Sequence, residues 1–308
     1  MTNINGATSH LRIATCPVNW NNNDIPGFKP VTPFPEILDR MHDDGYAATE
    51  YDASFGNDPV QVCAQMDSHD LVLTGSYQWV DFLTHGADVS AYENLRPTLA
   101  LLAELGCRHL IVSDSLRPHR VALAGRVPED GSESLDDASY ARIAAGIHAV
   151  ATMAAEYGIK VHYHNHVGSW IEAPHEVAAL LAQLDTSCAD LCFDTGHYAY
   201  GGGNPAQFIQ DNIAKIGYLH LKDVDTDAVV AARARELTFL EALREYVFSP
   251  IGTGSADIPA ILSVLVENEF DGWIVVEQDT CVGDPTETAR QNLAFIEHWL
   301  ENHQAIGR

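Results

Sequence analysis

The chain is predicted to fold as an α/β protein, a single (β/α)8 TIM barrel spanning residues 1–308. Three observations lead there. Strand-like apolar runs alternate with helical stretches eight times, and no linker or break in composition divides the 308 residues. Such alternation implies a parallel sheet, since each strand needs a crossover to reach its parallel neighbour, and eight units of this length suit a closed barrel better than an open sheet. Four of the runs also end in His, Asp or Glu, at the strand ends where such a barrel carries its site.

The first run, Leu11 to Val18, is short and apolar and is followed by NWNNNDIPGFKPVTP, whose Asn, Pro and Gly cannot continue a strand. Pro35 to Asp44 has helical periodicity through Ile37, Leu38 and Met41, and Gly45 stops it. The second strand is YAATEYDA. Pro59 to His69 reads as a helix, Leu71 to Tyr77 as a strand, Tyr92 to Leu105 as a leucine-rich helix ended by Gly106, and His109 to Val112 as the fourth strand. An excursion with Pro118, Pro128 and Gly131 occupies about 116–135, and a long helix from Asp136 to Tyr157 ends at Gly158.

KVHYHNHVGSW follows as strand five. Then come a helix from Pro174 to Leu184, the strand ADLCFD, a helix from Pro205 to Ile213 and the strand IGYLHLKD. A charged, partly helical excursion covers about 225–250. A helix from Ile258 to Glu267, the strand GWIVVEQD and a closing helix over about Thr286 to Asn302 complete the eight units. Gly201-Gly202-Gly203 lacks the spacing and Lys of a phosphate loop and reads as a flexible pocket edge. Gly252-Thr253-Gly254 is no dinucleotide fingerprint.

Composition excludes several functions. A net charge of -26 repels phosphate backbones and anionic lipid, so neither nucleic acid nor a membrane surface is an expected partner, whereas a small polar substrate is. No stretch approaches about 20 consecutive apolar residues, and MTNINGATSHLR has no signal-peptide core, so a cytoplasmic protein is expected. The six cysteines lie mostly singly in apolar segments, and Cys188-x3-Cys192 has no second pair to complete a zinc site, so they read as reduced core thiols.

In strand five, His162, His164 and His166 lie two residues apart and project to one side. With Asp194 in LCFDTGH, His220 in YLHLKD and Glu277 in WIVVEQD, they place candidate metal ligands at four strand ends. An unpaired charge or imidazole late in an apolar run is costly, and two His with two carboxylates suit Mn²⁺, Co²⁺, Zn²⁺ or Fe²⁺ more than Ca²⁺. Trp20 beyond strand one, Glu50 at the end of strand two and Trp79 after strand three are candidate linings of the mouth.

The stretches PVNWNNNDIP, GYAATEYDASFG, YHNHVGSW, FDTGHYAYGG, HLKDV, PIGTGSADIPAIL and GWIVVEQD, in this order, carry a resemblance over nearly the whole chain. They resemble the sugar-phosphate isomerase/epimerase-like barrels, the xylose-isomerase-like or family-2 AP-endonuclease superfamily, nearest its inosose (2-keto-myo-inositol) dehydratase branch. The resemblance implies one divalent metal ion, Mn²⁺ or Co²⁺ first, with Zn²⁺, Fe²⁺ or Mg²⁺ as alternatives. Asp194, His220 and Glu277 look like three of the family's four ligands. The family commonly has a glutamate at the end of strand five, where this chain has His164, with His166 as the alternative ligand. His197 resembles the family's substrate-contacting histidine, and Lys222 a pocket-facing residue.

The missing glutamate has a chemical consequence. Family epimerases exchange a proton between two metal-bound glutamates, and a metal-bound His is a poor base because its lone pair is occupied. An asymmetric site suits elimination of water from a cyclic polyol ketone through a metal-stabilised enolate, with Glu277 or His166 as base and His197 and Lys222 polarising substrate oxygens. The alternatives are a keto-sugar epimerase or isomerase, or β-elimination from a 3-oxo-glycoside, for which C-glycoside cleavage implies a small partner subunit. A non-catalytic sugar-binding barrel is a third reading. Barrel faces of this kind also commonly support homo-oligomers.

Overall fold

In the computed structural model, residues 11–304 are described, and the first ten residues, on which most of the signal-peptide argument rests, lie outside them. Eight parallel strands close a barrel: β1 (Arg12–Thr15), β2 (Ala48–Tyr51), β3 (Val72–Val80), β4 (His109–Asp114), β5 (Lys160–His164), β6 (Ala189–Asp194), β7 (Ile216–Leu221) and β8 (Trp273–Val276). Each is followed by a helix: α1 (Phe34–Asp43), α2 (Pro59–Ser68), α3 (Arg96–Glu104), α4 (Asp137–Ala155), α5 (Pro174–Leu181), α6 (Pro205–Asn212), α7 (Ile258–Glu267) and α8 (Pro285–Gln304). The predicted (β/α)8 barrel is therefore present.

Local chemistry starts and stops these elements. Asp58, Asp136 and Asn204 accept backbone N–H groups at the starts of α2, α4 and α6, where orphan donors would otherwise go unsatisfied. In α7 the buried set Ile258, Ile261, Leu262 and Leu265 repeats at helical spacing and packs inward. β6 is buried at every position, as expected of a strand covered on both faces.

The barrel closes where β1 meets β8, in register from Arg12 opposite Trp273 to Thr15 opposite Val276. Side chains extend this seam beyond the strands. The Asn19 amide donates to the Val276 carbonyl (3.1 Å), and its Oδ1 accepts the Gln278 N–H (2.8 Å).

The structure departs from the sequence reading mainly after the strands. β3 runs on to Val80, and short helical turns at Phe82–His85 and Val89–Leu95 precede α3. The first excursion holds a helix, Pro118–Leu123, anchored by the buried Arg120, whose guanidinium donates to Glu176 (2.7 Å) and to the carbonyls of Ser169 and Glu133 (2.9 Å each). The second holds two helices, Thr226–Ala234 and Phe239–Arg244, and an antiparallel ribbon pairing Asp223–Val224 with Phe248–Ser249.

The Gly252-Thr253-Gly254 turn wraps the Asp223 carboxylate, which accepts the N–H groups of Gly252 and Gly254 at 2.9 Å. A Cβ on Gly254 would lie 2.4 Å from Asp223 Oδ1, so only glycine fits. The glycine triplet at 201–203 is a packed helix stop instead of a flexible edge, since a Cβ at Gly201 would lie 2.6 Å from the Glu172 carbonyl oxygen. All six cysteines are free, and no helix of the described residues is long and apolar enough to cross a membrane.

Candidate metal centre and active site

Period-two alternation sends His162 and His164 to the barrel interior at different heights. His162, the lower, is fully satisfied: Nε2 lies 2.9 Å from His109 Nδ1, and Nδ1 bonds the Asp190 carboxylate, so this imidazole is structural. A Cβ on Gly217 would strike that carboxylate at 2.2 Å, so a glycine on β7 makes the room. His164, one pleat higher, is 1% exposed, and neither ring nitrogen has a hydrogen bond.

His164, Asp194, His220 and Glu277 converge, each offering one ligand atom, and these atoms lie within 4.8 Å of one another. The same four side chains carry buried polar atoms without hydrogen-bond partners: both nitrogens of His164, Asp194 Oδ2, His220 Nδ1 and Glu277 Oε2. His220 Nδ1 lies only 2.8 Å from Glu277 Oε2, yet without the alignment of a hydrogen bond. Orphaned buried polar atoms carry a free-energy cost, and two imidazole nitrogens with two carboxylate oxygens are a donor set for a divalent transition ion. The residues therefore fit the group.

The surroundings aim each candidate ligand. Asp194 Oδ1 accepts the His197 N–H (2.7 Å) at the start of the short helix Thr195–Tyr200, which leaves Oδ2 for the site. Asn165, between His164 and His166, clamps the backbone of Asp194 through both ends of its amide (3.0 and 3.1 Å). His220 Nε2 lies 2.9 Å from Glu50 Oε1, which also accepts the Tyr218 hydroxyl (3.0 Å). An N–H at Nε2 thus fixes the tautomer and turns Nδ1 to the cluster.

Electrostatics follow the packing. Burial opposes charge on Asp194 and Glu277, but Lys222 and the neighbouring imidazoles outweigh it and hold both carboxyls below the usual range. Burial pushes His164 down, which keeps a lone pair available. For His220 burial also works against charge, and Cys192 with the Glu277 and Glu50 carboxylates outweighs it and pushes the imidazole well above its ordinary value.

The cluster forms part of the wall of a cavity of about 730 Å³ at the C-terminal end of the barrel, whose lining includes Glu50, Trp79, His164, His166, His197 and Glu277. His166 lies beyond β5, its ring 3.8 Å from that of His197 and 4.8 Å from that of Trp79. Its Nδ1 donates to the Val167 carbonyl (2.7 Å), which leaves Nε2 as the unshared nitrogen, and burial, aided by His164 and Lys222, brings its pKa down to about 3. Glu50 reaches the cavity as expected from sequence, but its Oε1 is engaged beneath the cluster.

Two expectations are corrected. Lys222 does not line the cavity. Its ammonium is drawn beneath it, 2.9 Å from Asp279, 3.2 Å from Glu277, 3.3 Å from Asp194 and 3.2 Å from His197 Nε2. Gly196 makes this course possible, because a Cβ there would lie 2.6 Å from Lys222 Cγ. Trp20, which closes the turn at Pro17–Asn19, lines a smaller side chamber of about 180 Å³ with Ile25 and Phe28, and its indole N–H donates to Thr286 (3.1 Å).

Sequence reasoning missed Asp279, Tyr77 and Asn165. Asp279 had a signal, since it lies two residues beyond Glu277 and so on the same side. Burial first, with Glu277 adding to it, pushes its carboxyl up to about 7 against the pull of Lys222. Tyr77 projects from β3 with its hydroxyl buried and unpartnered and its ring edge-on to His164 at 5.3 Å.

Relatives match this chain over most of its length. An inosose dehydratase of Geobacillus kaustophilus (strain HTA426) is 30% identical over 302 residues, covering 95% of this chain and 96% of its own. The rhizopine catabolism protein MocC of Rhizobium meliloti is 30% identical over 289 residues, covering 94% and 86%. The probable 3-DHS dehydratase AsbF of Bacillus anthracis superposes with a TM-score of 0.71 at 12% identity, over 92% of this chain and 99% of its own, a likeness of fold alone. Residues 38–299 match the model of the xylose isomerase-like TIM barrels, and the chain belongs to that family.

Proposed function

We propose that this protein is a divalent-metal-dependent dehydratase that eliminates water from a cyclic polyol ketone such as 2-keto-myo-inositol, acting in the cytoplasm. The observation that carries the reading is the asymmetry of the centre. Glu277 follows β8, while β5 ends in His164, so the ligand cluster holds an imidazole where a second glutamate would stand. The pair of ligand glutamates that exchanges a proton in epimerisation is not present in this cluster. The inosose dehydratase relatives support the same reading.

His164, Asp194, His220 and Glu277 would hold the ion, Mn²⁺ or Co²⁺, given a mixed nitrogen and oxygen donor set. When bound, such an ion supplies Lewis acidity toward a ketone oxygen and so acidifies the neighbouring C–H. The remaining work falls to side chains. Glu277, with its second oxygen free of hydrogen bonds, takes the α-proton. His166, kept neutral by burial, accepts a hydrogen bond from a ring hydroxyl at Nε2. Lys222 holds Asp279 and Glu277 in place from below, and Trp79 offers an apolar face to the ring.

The test is metal analysis of purified protein together with ultraviolet detection of dione formation from 2-keto-myo-inositol, with and without chelator. About one ion per chain and chelator-sensitive product are expected, and Glu277→Gln should lose at least ~100-fold in rate. Full activity of that variant would remove Glu277 from the chemistry.

A further inference from the structure

Elimination needs a second proton transfer, to the departing hydroxyl, and the residues assigned above leave it unfilled. Five carboxyl side chains line the cavity: Asp24, Glu50, Asp52, Glu277 and Asp279. Glu50 is engaged by His220 and Tyr218, Asp52 caps the turn at Ser54 (2.8 Å), Glu277 belongs to the ligand cluster, and Asp279 is bound by Lys222. Asp24 alone has a carboxyl with neither a hydrogen bond nor an ion pair among the described residues.

The loop around it is nonetheless fixed, and Asn21 and Asn22 fix it. Asn21 closes the loop on itself, its amide donating to the Thr32 carbonyl (2.8 Å) and accepting the Thr32 N–H (2.9 Å). Asn22 accepts the Asp24 N–H (2.8 Å) and donates across the barrel seam to the Asp279 carbonyl (3.2 Å). An asparagine-rich turn is usually only a surface turn. Here Asn21 and Asn22 make it a bracket tied to the β8 loop, and it leaves the Asp24 carboxyl uncommitted at the cavity.

The position suits proton donation. Asp24 is half-buried and lines the same cavity as Tyr77 of β3 and Glu277 beyond β8. Burial pushes its carboxyl up, Glu277 adds to the rise, and Lys222 works against both. Two carboxyls set in different surroundings of one cavity are the arrangement by which two acids take opposite roles.

We propose that Asp24 is the general acid of the elimination, giving its proton to the β-hydroxyl as it leaves. This rests on the dehydratase reading above. The steps balance. Glu277 takes the α-proton, the C–H electron pair forms the new carbon–carbon double bond, and the C–O pair departs with oxygen. The Asp24 proton completes the water molecule. Solvent then reprotonates Asp24 and takes the proton from Glu277, with no oxidation or reduction.

The experiment uses Asp24→Asn in the metal-loaded enzyme with two substrates, 2-keto-myo-inositol and its analogue carrying fluorine in place of the β-hydroxyl. Fluoride leaves without a proton. Deuterium uptake at the α-carbon from heavy water is followed in parallel, and melting temperature and metal content establish that the variant is folded and loaded. Loss of water should slow by about 100-fold or more, as removal of a general acid does, while fluoride loss and deuterium uptake stay within a few-fold of the parent enzyme. Asp24→Glu, which restores a carboxyl, should recover part of the rate. Parent-like water loss in Asp24→Asn overturns the proposal, as does an equal fall in all three readouts. Should the parent enzyme neither exchange deuterium nor eliminate from either compound, the dehydratase reading itself fails and the role of Asp24 falls with it.

Discussion

Glu50 tests whether His220 is held ready to bind an ion. Its Oε1 receives the His220 Nε2–H at 2.9 Å and the Tyr218 hydroxyl at 3.0 Å, and Tyr218 has a second partner in Thr74 at 2.8 Å. Losing the acceptor therefore strands the imidazole far more than the phenol. Glu50→Gln keeps an oxygen in place but removes its charge, which roughly halves the strength of the bond to the ring. Glu50→Ala removes the acceptor and leaves a buried N–H unpaired. Outer partners of metal-bound histidines are typically worth 10–100-fold in affinity. The expected losses are thus about 10-fold for Gln and about 100-fold for Ala, or ~1.4 and ~2.7 kcal/mol. Chelator competition for Mn²⁺ or Co²⁺ measures them. Affinity equal to the parent in both variants would refute the argument. A defect in KM that survives saturating metal would show instead that Glu50 acts by touching substrate.

Three further outcomes are expected. Glu176→Ala leaves the buried Arg120 guanidinium without its carboxylate and should destabilise the protein by about 3–5 kcal/mol in denaturant titrations, with Arg120→Met on top recovering much of the loss. Gly196→Ala forces the Lys222 stem away from its course and should lower stability by about 1–3 kcal/mol in the same titrations. Glu172 is pushed by burial from its ordinary 4.5 up to about 7, against the N–H groups of Gly168 and Gly125. The native state therefore holds a proton that the unfolded chain has released, so this group's contribution to stability is greatest below 4.5 and declines as pH rises to about 7. The slope has a ceiling of about 1.4 kcal/mol per pH unit. Glu172→Gln should flatten that part of the pH–stability curve, and an unchanged curve would contradict the burial argument.

Alternation of apolar runs was enough to locate all eight strands, and polar residues at their ends were enough to find the four-residue cluster, because both signals are local. ADLCFD and Ile258 to Glu267 match the observed elements residue for residue. Long-range competition was less visible. The direction of Lys222 depends on three carboxylates from two other strands, one of them Asp279, and no spacing rule within HLKD reveals it. The histidine run shows the same limit. His162 and His164 share a face, yet one is satisfied by partners on β4 and β6 and the other by none. Asn165 is legible only once Asp194 is known to lie beside it.

The seam between β1 and β8 has a consequence for how the protein comes into being. Asn19 and Gln278, joined there, are 259 positions apart. At about 5–20 residues per second a ribosome takes roughly 13–50 s to travel between them. Until β8 is made, the strands already synthesised form an unfinished sheet with two bare edges, open to chaperones and to strand pairing with other nascent chains. Glu277 arrives last of the four, just before the asparagine bracket can latch. The four-residue cluster is therefore complete only at the final closure of the barrel, and a circular permutation that moves the seam would change when it is completed while leaving the finished cluster the same.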